Sequence, residues 1–318
     1  MTIRVALLGR GMAGTIFHAP LIRALPQFDL ATVAGAADSA AAVGSPDIDL
    51  VVIATPNPSH FPLARAALEA GKHVVVDKPF ATSLAEADAL IELAAAKGRM
   101  LTIFHNRRWD GDFLTVRQLI ESGRLGQISL FEAHWDRFRP APRPGWRETP
   151  GEGAGLLWDL GPHLIDQALL LFGPPDSVSG DLAIQRSGAR ADDYFEVTLS
   201  YGAMRAALSA SSLVTWARPR FAVHGMLGSF VKHGFDPQEE ALKQGVSPTA
   251  PGFGEEGVGW HGLMASGDTL DAIPTLPGRY LAFYEGVAAA IAGGAPPPVD
   301  PADARESLKI IELARADG

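Results

Sequence analysis

A chain of 318 residues, 47% hydrophobic and 20% charged, is too long for one small core and has the balance of a globular protein of two domains. Its net charge of −9 opposes nucleic acid and anionic membranes as partners, and no apolar run approaches the roughly 20 residues of a membrane span. The absence of cysteine excludes disulfides and thiolate chemistry and leads to an expected cytoplasmic location, while nine histidines without HExxH-type spacing give no support to a metal site.

In chain order, the pattern predicts a buried strand at Ile3–Leu8, a helix at Gly14–Leu25, a strand at Leu30–Val33 and an apolar strand at Leu50–Ala54. A helix at Phe61–Ala70 ended by Gly71 follows, then a strand at His73–Val76. A helix at Ser83–Ala96 ended by Gly98 and a strand at Met100–Phe104 complete this part. Short apolar strands alternating with helices predict an α/β fold whose N-terminal Rossmann domain, a doubly wound parallel sheet, spans residues 1–124. About fifteen residues separate the second strand from Leu50, too few for a helix and a third strand. Either this half of the fold is trimmed, or a segment after Ala36 is missing from the sequence.

From about residue 127 the period changes. Alternation in Phe195–Leu199 and Met204–Ser209 predicts a C-terminal α+β domain, residues 125–300, with a mainly antiparallel open sheet. The Gly- and Pro-rich stretch Lys243–Pro277 reads as a long loop or subunit contact. Tyr280–Ala292 and Ala302–Ala314 read as closing helices, with 301–318 expected to pack back on the first domain.

Gly9-Arg10-Gly11-Met12-Ala13-Gly14 directly follows a strand and opens a helix. In that context the first glycine permits a tight turn, the second lets a pyrophosphate approach the backbone, and the third allows close helix–strand packing. A dinucleotide, NAD or NADP, is the expected cofactor. The choice between them is written near the end of the second strand, where Asp38 leans towards NAD by holding a ribose and no Lys or Arg occurs between Arg23 and Arg65.

The run from Trp158 to Asp166 places Asp159, His163 and Asp166 on one face of a predicted helix. Alone it reads first as a helix capped by Asp159, with Pro162 in its first turn and a buried histidine. Three further runs lie at carboxyl ends of predicted parallel strands, where ligands of such sheets bind: Ala54-Thr55-Pro56-Asn57-Pro58-Ser59-His60, Val76-Asp77-Lys78-Pro79-Phe80 and Asn106-Arg107-Arg108-Trp109-Asp110.

Together with Phe17-His18-Ala19-Pro20, Phe138-Arg139-Pro140 and Asp192-Asp193-Tyr194-Phe195, this order resembles the Gfo/Idh/MocA oxidoreductase family, closest to its NADP-dependent scyllo-inositol 2-dehydrogenase-like branch. The resemblance covers nearly the whole chain. It implies a catalytic Lys78 beside the nicotinamide, with Asp77 where the family has glutamate, and catalytic Asp159 and His163. It also implies cofactor contacts from Gly9, Gly11, Met12, Ala13, Gly14, Asp38, Thr55, Asn57, His60, Asp77 and Pro79. Asn106, Arg108, Trp109 and Asp166 are candidate substrate contacts, with Trp135 and Arg137 as further pocket candidates and no metal.

The chemistry agrees with these roles. Histidine titrates near neutrality and suits a general base, and a fixed cation stabilises a developing alkoxide. The expected activity is hydride transfer between nicotinamide and a secondary alcohol or carbonyl of a cyclitol, sugar or related polyol. A non-catalytic dinucleotide-binding sensor and an NAD-retaining glycosidase are the alternatives. The resemblance also implies a homodimer or homotetramer through the C-terminal sheet.

Overall fold

The computed structural model describes residues 2–317. The chain divides into two compact units, Met1–Trp109 with Gln238–Phe253 and Arg279–Leu308, and Asp110–Pro237 with Gly254–Gly278 and Lys309–Gly318. The units therefore part at residue 109, and two later segments return to the first unit. That is a different division from the consecutive stretches 1–124 and 125–300.

The first unit holds β1 (Ile3–Leu8), α1 (Ala19–Arg23), β2 (Phe28–Ala34), α2 (Ser39–Gly44), β3 (Leu50–Ile53), α3 (His60–Glu69), β4 (His73–Val76), α4 (Leu84–Lys97) and β5 (Leu101–Ile103). Its five strands are ordered β2-β1-β3-β4-β5 and every pairing is parallel. β3 to β5 are almost wholly buried, as apolar strands covered on both faces must be. The short crossover after β2 is closed by a single turn at Ala36–Asp38 and the six-residue α2, after which β3 pairs directly with β1. No further strand lies outside β2 among the described residues, so β2 is an edge. α4 starts with Ser83 accepting the Glu86 N–H and Glu86 bonding back to the Thr82 N–H at 3.0 Å, and it ends at Gly98 with φ +59°.

A buried aromatic cluster closes this unit. His18 lies 4.2 Å from the Phe104 ring centroid, and its Nδ1 is 2.6 Å from the Tyr284 hydroxyl of helix Leu281–Ile291. Phe283 and Phe28 pack edge-on around the same tyrosine.

The second unit opens on α5 (Gly111–Glu121), followed by β6 (Ile128–Asp136), α6 (Leu156–Phe172) and β7 (Ser177–Ala183). β8 (Tyr194–Tyr201), β9 (Met204–Ser211), β10 (Phe221–Gly225), β11 (Ser229–Lys232), β12 (Gly262–Ser266) and β13 (Thr269–Ile273) complete it. The sheet order is β13-β12-β11-β10-β6-β9-β8-β7, antiparallel except for the central β6–β9 pair. α6 packs against β9, β8 and β6.

Two expectations need correction here. The stretch Lys243–Pro277 is not wholly loop, because Gly267-Asp268 turns the hairpin β12–β13 within it. α6 begins three residues before Asp159, so Asp159 is not its cap and Pro162 stands inside the helix rather than in its first turn. The capping carboxylate comes instead from Asp192, whose Oδ2 accepts the Leu157 N–H at 2.7 Å.

Burial pushes the His18 pKa down to about 4, aided by His60 and opposed by Asp77. The unfolded chain therefore binds a proton there between about pH 6.5 and 4 that the folded chain refuses, and stability falls as pH drops through that window. Urea unfolding should show a loss on the order of 3 kcal/mol across it. His18→Gln should flatten that component of the pH profile, and an unchanged profile would assign the slope to other groups.

Candidate functional site

Gly9, Gly11 and Gly14 do separate jobs in the turn after β1. A Cβ on Gly9, whose φ is +118°, would sit 2.1 Å from the Ala54 carbonyl oxygen, and one on Gly14 would sit 2.2 Å from that of Gly9. These two glycines allow backbone to meet backbone. A Cβ on Gly11 would meet nothing within 4 Å. The protein itself has no need of a glycine there, so the open space fits a group that approaches the loop from outside. Met12 is 56% exposed beside it, and Ala13 opens the helical segment Ala13–His18, whose Thr15 bonds back to the Gly11 carbonyl through both its N–H and its hydroxyl. The loop fits a pyrophosphate.

At the end of β2, Asp38 is exposed and its carboxylate lies 3.4 Å from Arg10, which also donates to the Val33 carbonyl at 3.1 Å. The segment after β2 itself holds no lysine or arginine before Arg65. The fold delivers one from inside the glycine loop.

His60 ties the next two loops together. Its Nδ1 is 2.7 Å from the Pro79 carbonyl oxygen and its Nε2 is 2.8 Å from that of Thr55. Burial lowers its pKa against Asp77 and both carbonyls. Each carbonyl can only accept from a ring N–H, so the two contacts favour the doubly protonated ring while burial opposes it. His60 thus acts as a strut between the Thr55–Asn57 and Asp77–Pro79 loops. Asn57 is buried, Thr55 receives the Ser59 hydroxyl at 2.7 Å, and Asp77 accepts the Lys78 N–H at 2.9 Å before a cis Lys78–Pro79 peptide.

Arg108 and Trp109 are built into the first unit. Arg108 pairs with Asp303 at 3.0 Å, and Trp109 meets Phe283 edge-on at 5.7 Å. Asn106 is buried, and its neighbour Arg107 binds Glu239 and, at 2.7 Å, the Tyr280 hydroxyl. These contacts fasten the loop to the two returning segments.

In the second unit the predicted face of α6 exists, and it runs from surface to core. The Asp159 side chain is 21% exposed, whereas His163 and Asp166 retain 6% and 2% exposure. Asp159 pairs with Arg147 at 3.1 Å and Arg137 at 3.6 Å. The His163 ring stacks on Trp135, centroids 5.7 Å apart at 26°. Trp135 also packs on Phe235 at 4.9 Å and receives the buried Arg220 guanidinium 5.0 Å from its centre. Asp166 is a buried group of the helix, one turn deeper than His163.

Sequence reasoning missed the residues that set this helix in place. Gly155, at φ +99°, leaves room for Asp192, whose Oδ1 would lie 1.9 Å from a Cβ there. The Asp192 backbone carbonyl accepts from Leu156 at 2.8 Å, and burial raises its carboxyl pKa despite the Leu157 N–H. The neighbouring Asp193 carboxylate takes the Gln185 N–H at 2.7 Å and Arg186 Nε at 2.8 Å. The pair Asp192-Asp193 was visible in the sequence, but its reach to a helix 35 residues away was not. Among the described residues no three His, Asp or Glu side chains gather as a metal would require, and no helix is long and apolar enough to cross a membrane.

Comparison with known proteins bears on the whole chain. Residues 32–105 match the domain described as "Oxidoreductase family, NAD-binding Rossmann fold", and residues 117–317 match "Oxidoreductase family, C-terminal alpha/beta domain". The chain is 44% identical to the Escherichia coli "Uncharacterized oxidoreductase YdgJ", covering 98% of this chain and 95% of that one. That alignment runs to 328 positions, so the relative carries residues this chain lacks. It is 36% identical to "scyllo-inositol 2-dehydrogenase (NADP(+)) IolW" of Bacillus subtilis over 98% of this chain and 93% of that one. Among solved structures, the putative oxidoreductase YPO2259 of Yersinia pestis superposes with a TM-score of 0.93 at 44% identity, covering 99% of this chain and 95% of that one.

The glycine geometry separates folding from binding. Gly11→Ala should shift the thermal midpoint little while raising the dissociation constant for NAD(P)H at least tenfold, read by quenching of intrinsic fluorescence. Gly14→Ala should unfold the first unit or cost several kcal/mol, since its Cβ meets backbone. Equal affinity in wild type and Gly11→Ala would remove the pyrophosphate from this loop.

Proposed function

We propose, given that this chain belongs to the Gfo/Idh/MocA family of NAD(P)-dependent oxidoreductases, that it interconverts a secondary alcohol and a carbonyl on a cyclitol, sugar or related polyol. The bound nicotinamide would supply or accept the hydride. The observation that carries the reading is the open space at Gly11 at the mouth of a parallel sheet, the place where a pyrophosphate enters. The likeness to the Bacillus subtilis scyllo-inositol dehydrogenase supports the substrate class.

The roles follow from the side chains. His163 takes the hydroxyl proton during oxidation and returns one during reduction. The stacked Trp135 fixes the plane of its ring and keeps water from one face. Lys78 stabilises negative charge on the reacting oxygen and orients it. Asp159, held by Arg137 and Arg147, positions substrate hydroxyls as an anionic acceptor. Gly9, Gly11, Met12, Ala13, Gly14, Thr55 and Asn57 receive the dinucleotide, and His60 holds two of their loops in register. Asp38 accepts from a ribose, with Arg10 beside it as the cation that a 2′-phosphate would need.

Inositols, aldoses and small carbonyls, assayed with NAD(H) and NADP(H) by nicotinamide absorbance, should include at least one turned-over substrate. His163→Ala should lower kcat by roughly 10²–10⁴-fold and leave the dinucleotide dissociation constant unchanged. Full activity in that variant refutes the proton-carrying role. We also propose self-association through the second-unit sheet, where Leu263 and Leu270 share one face of the β12–β13 hairpin and stand 45% and 66% exposed. Light scattering that returns the mass of one chain overturns this.

A further inference from the structure

A cavity of about 230 Å³ in the second unit is lined by Arg137, Arg139, Arg143, Arg147 and Arg186. Five guanidiniums in one small space run against a chain whose net charge is −9. We propose that this cavity binds an anionic group, carboxylate or phosphate, carried by the substrate. The inference rests on the dehydrogenase reading above and narrows it to sugar acids or phosphorylated polyols.

The carboxylates of the cavity are largely spoken for. Glu148 holds Arg186 at 3.0 Å, with Asp193 adding a second contact to that arginine at 2.8 Å from outside the lining, and Asp192 is engaged with the start of α6. Asp159 is shared by Arg137 and Arg147. Arg139 and Arg143 have no carboxylate within ion-pair distance among the described residues. Four guanidiniums therefore face one carboxylate that serves neither Arg186 nor the helix start, and an anion entering the cavity relieves their mutual repulsion. The planar guanidinium fork matches the two oxygens of a carboxylate or phosphate, which a neutral hydroxyl does not.

Place strengthens the case. Arg147 is held over the Trp146 ring at 4.5 Å, so its charge is fixed before any ligand arrives. Asp159 borders the cavity one helical turn from His163. An anion in the cavity would thus lie near the proton carrier and set which carbon of the substrate is presented to it.

Isothermal titration of the full chain with D-glucuronate, D-glucose 6-phosphate and neutral myo-inositol tests the proposal. The anionic sugars should bind at least about tenfold more tightly than myo-inositol, and the better of the two identifies carboxylate or phosphate as the preferred group. Arg139→Ala with Arg143→Ala should abolish that advantage and leave the NADP⁺ dissociation constant, read in the first unit, unchanged. The Lys pair should restore part of it. Anions that bind no better than myo-inositol, or bind the Ala pair as well as wild type, overturn the site. Turnover of myo-inositol alongside such a result keeps the dehydrogenase reading. Anion binding lost in the Ala pair, with no nicotinamide absorbance change for any polyol or sugar, refutes that reading instead.

Discussion

A helix that begins inside a protein leaves N–H groups facing inward, and each must find an acceptor or cost free energy. α6 meets that demand with one residue from another part of the chain: Asp192 takes the Leu156 N–H on its backbone and the Leu157 N–H on its side chain. Much else in the second unit follows from that junction. It sets the rotation of the helix, so that Asp159 reaches the arginines while His163 turns under Trp135 and Asp166 points into the core. It also explains Gly155, since any Cβ would displace the carboxylate that starts the helix. Carboxylate, imidazole and carboxylate thus descend one face through a gradient of burial. Their environments differ though their spacing is regular.

Local signals were readable in the sequence, and reach was not. The glycine loop, the Gly98 terminus and the runs of buried strand residues all act within a few positions, and each appears where the pattern placed it. The missed features join distant segments. Asp192 to Leu157, Arg10 to Asp38, Arg107 to Glu239 and His18 to Tyr284 depend on how the chain returns to itself, and no periodicity encodes that. The misplaced start of α6 shows the same limit. Asp159 beside a proline has the local look of a cap, but an aspartate more than thirty residues later supplies the carboxylate. The β12–β13 hairpin was overlooked for a different reason. Its Gly-Asp turn lies in a stretch so rich in glycine and proline that the turn signal did not stand out.

Charge is distributed against the average. A strongly acidic chain places its arginines at the ends of α6 and β6, where they hold carboxylates in fixed positions instead of forming a broad basic surface. Arg220 carries this furthest. It is almost fully buried, 3.9 Å from Asp112 and 2.8 Å from Gln167, and it lies over both Trp135 and Phe221. The tryptophan that supports His163 therefore rests on a cation that is itself held by a carboxylate. An uncharged substitute for Arg220 would leave Asp112 as an uncompensated buried charge.

The short crossover after β2 has a consequence at the edge of the first sheet. With β1 on one side and no strand on the other, β2 presents a row of backbone amides and carbonyls along the rim of the first sheet. Such a rim can accept another strand, from an extended chain or from a neighbouring molecule. Asp29, exposed on β2 and 4.0 Å from Arg4, places charge on that rim, and charge of this kind discourages indiscriminate pairing. The same rim is where added length costs the fold least. Residues inserted between Ala36 and Gly44 could extend the sheet outward while β1, the glycine loop and the buried strands keep their register. The boundary of this sheet is a place where related chains can differ in size without differing in what the sheet holds.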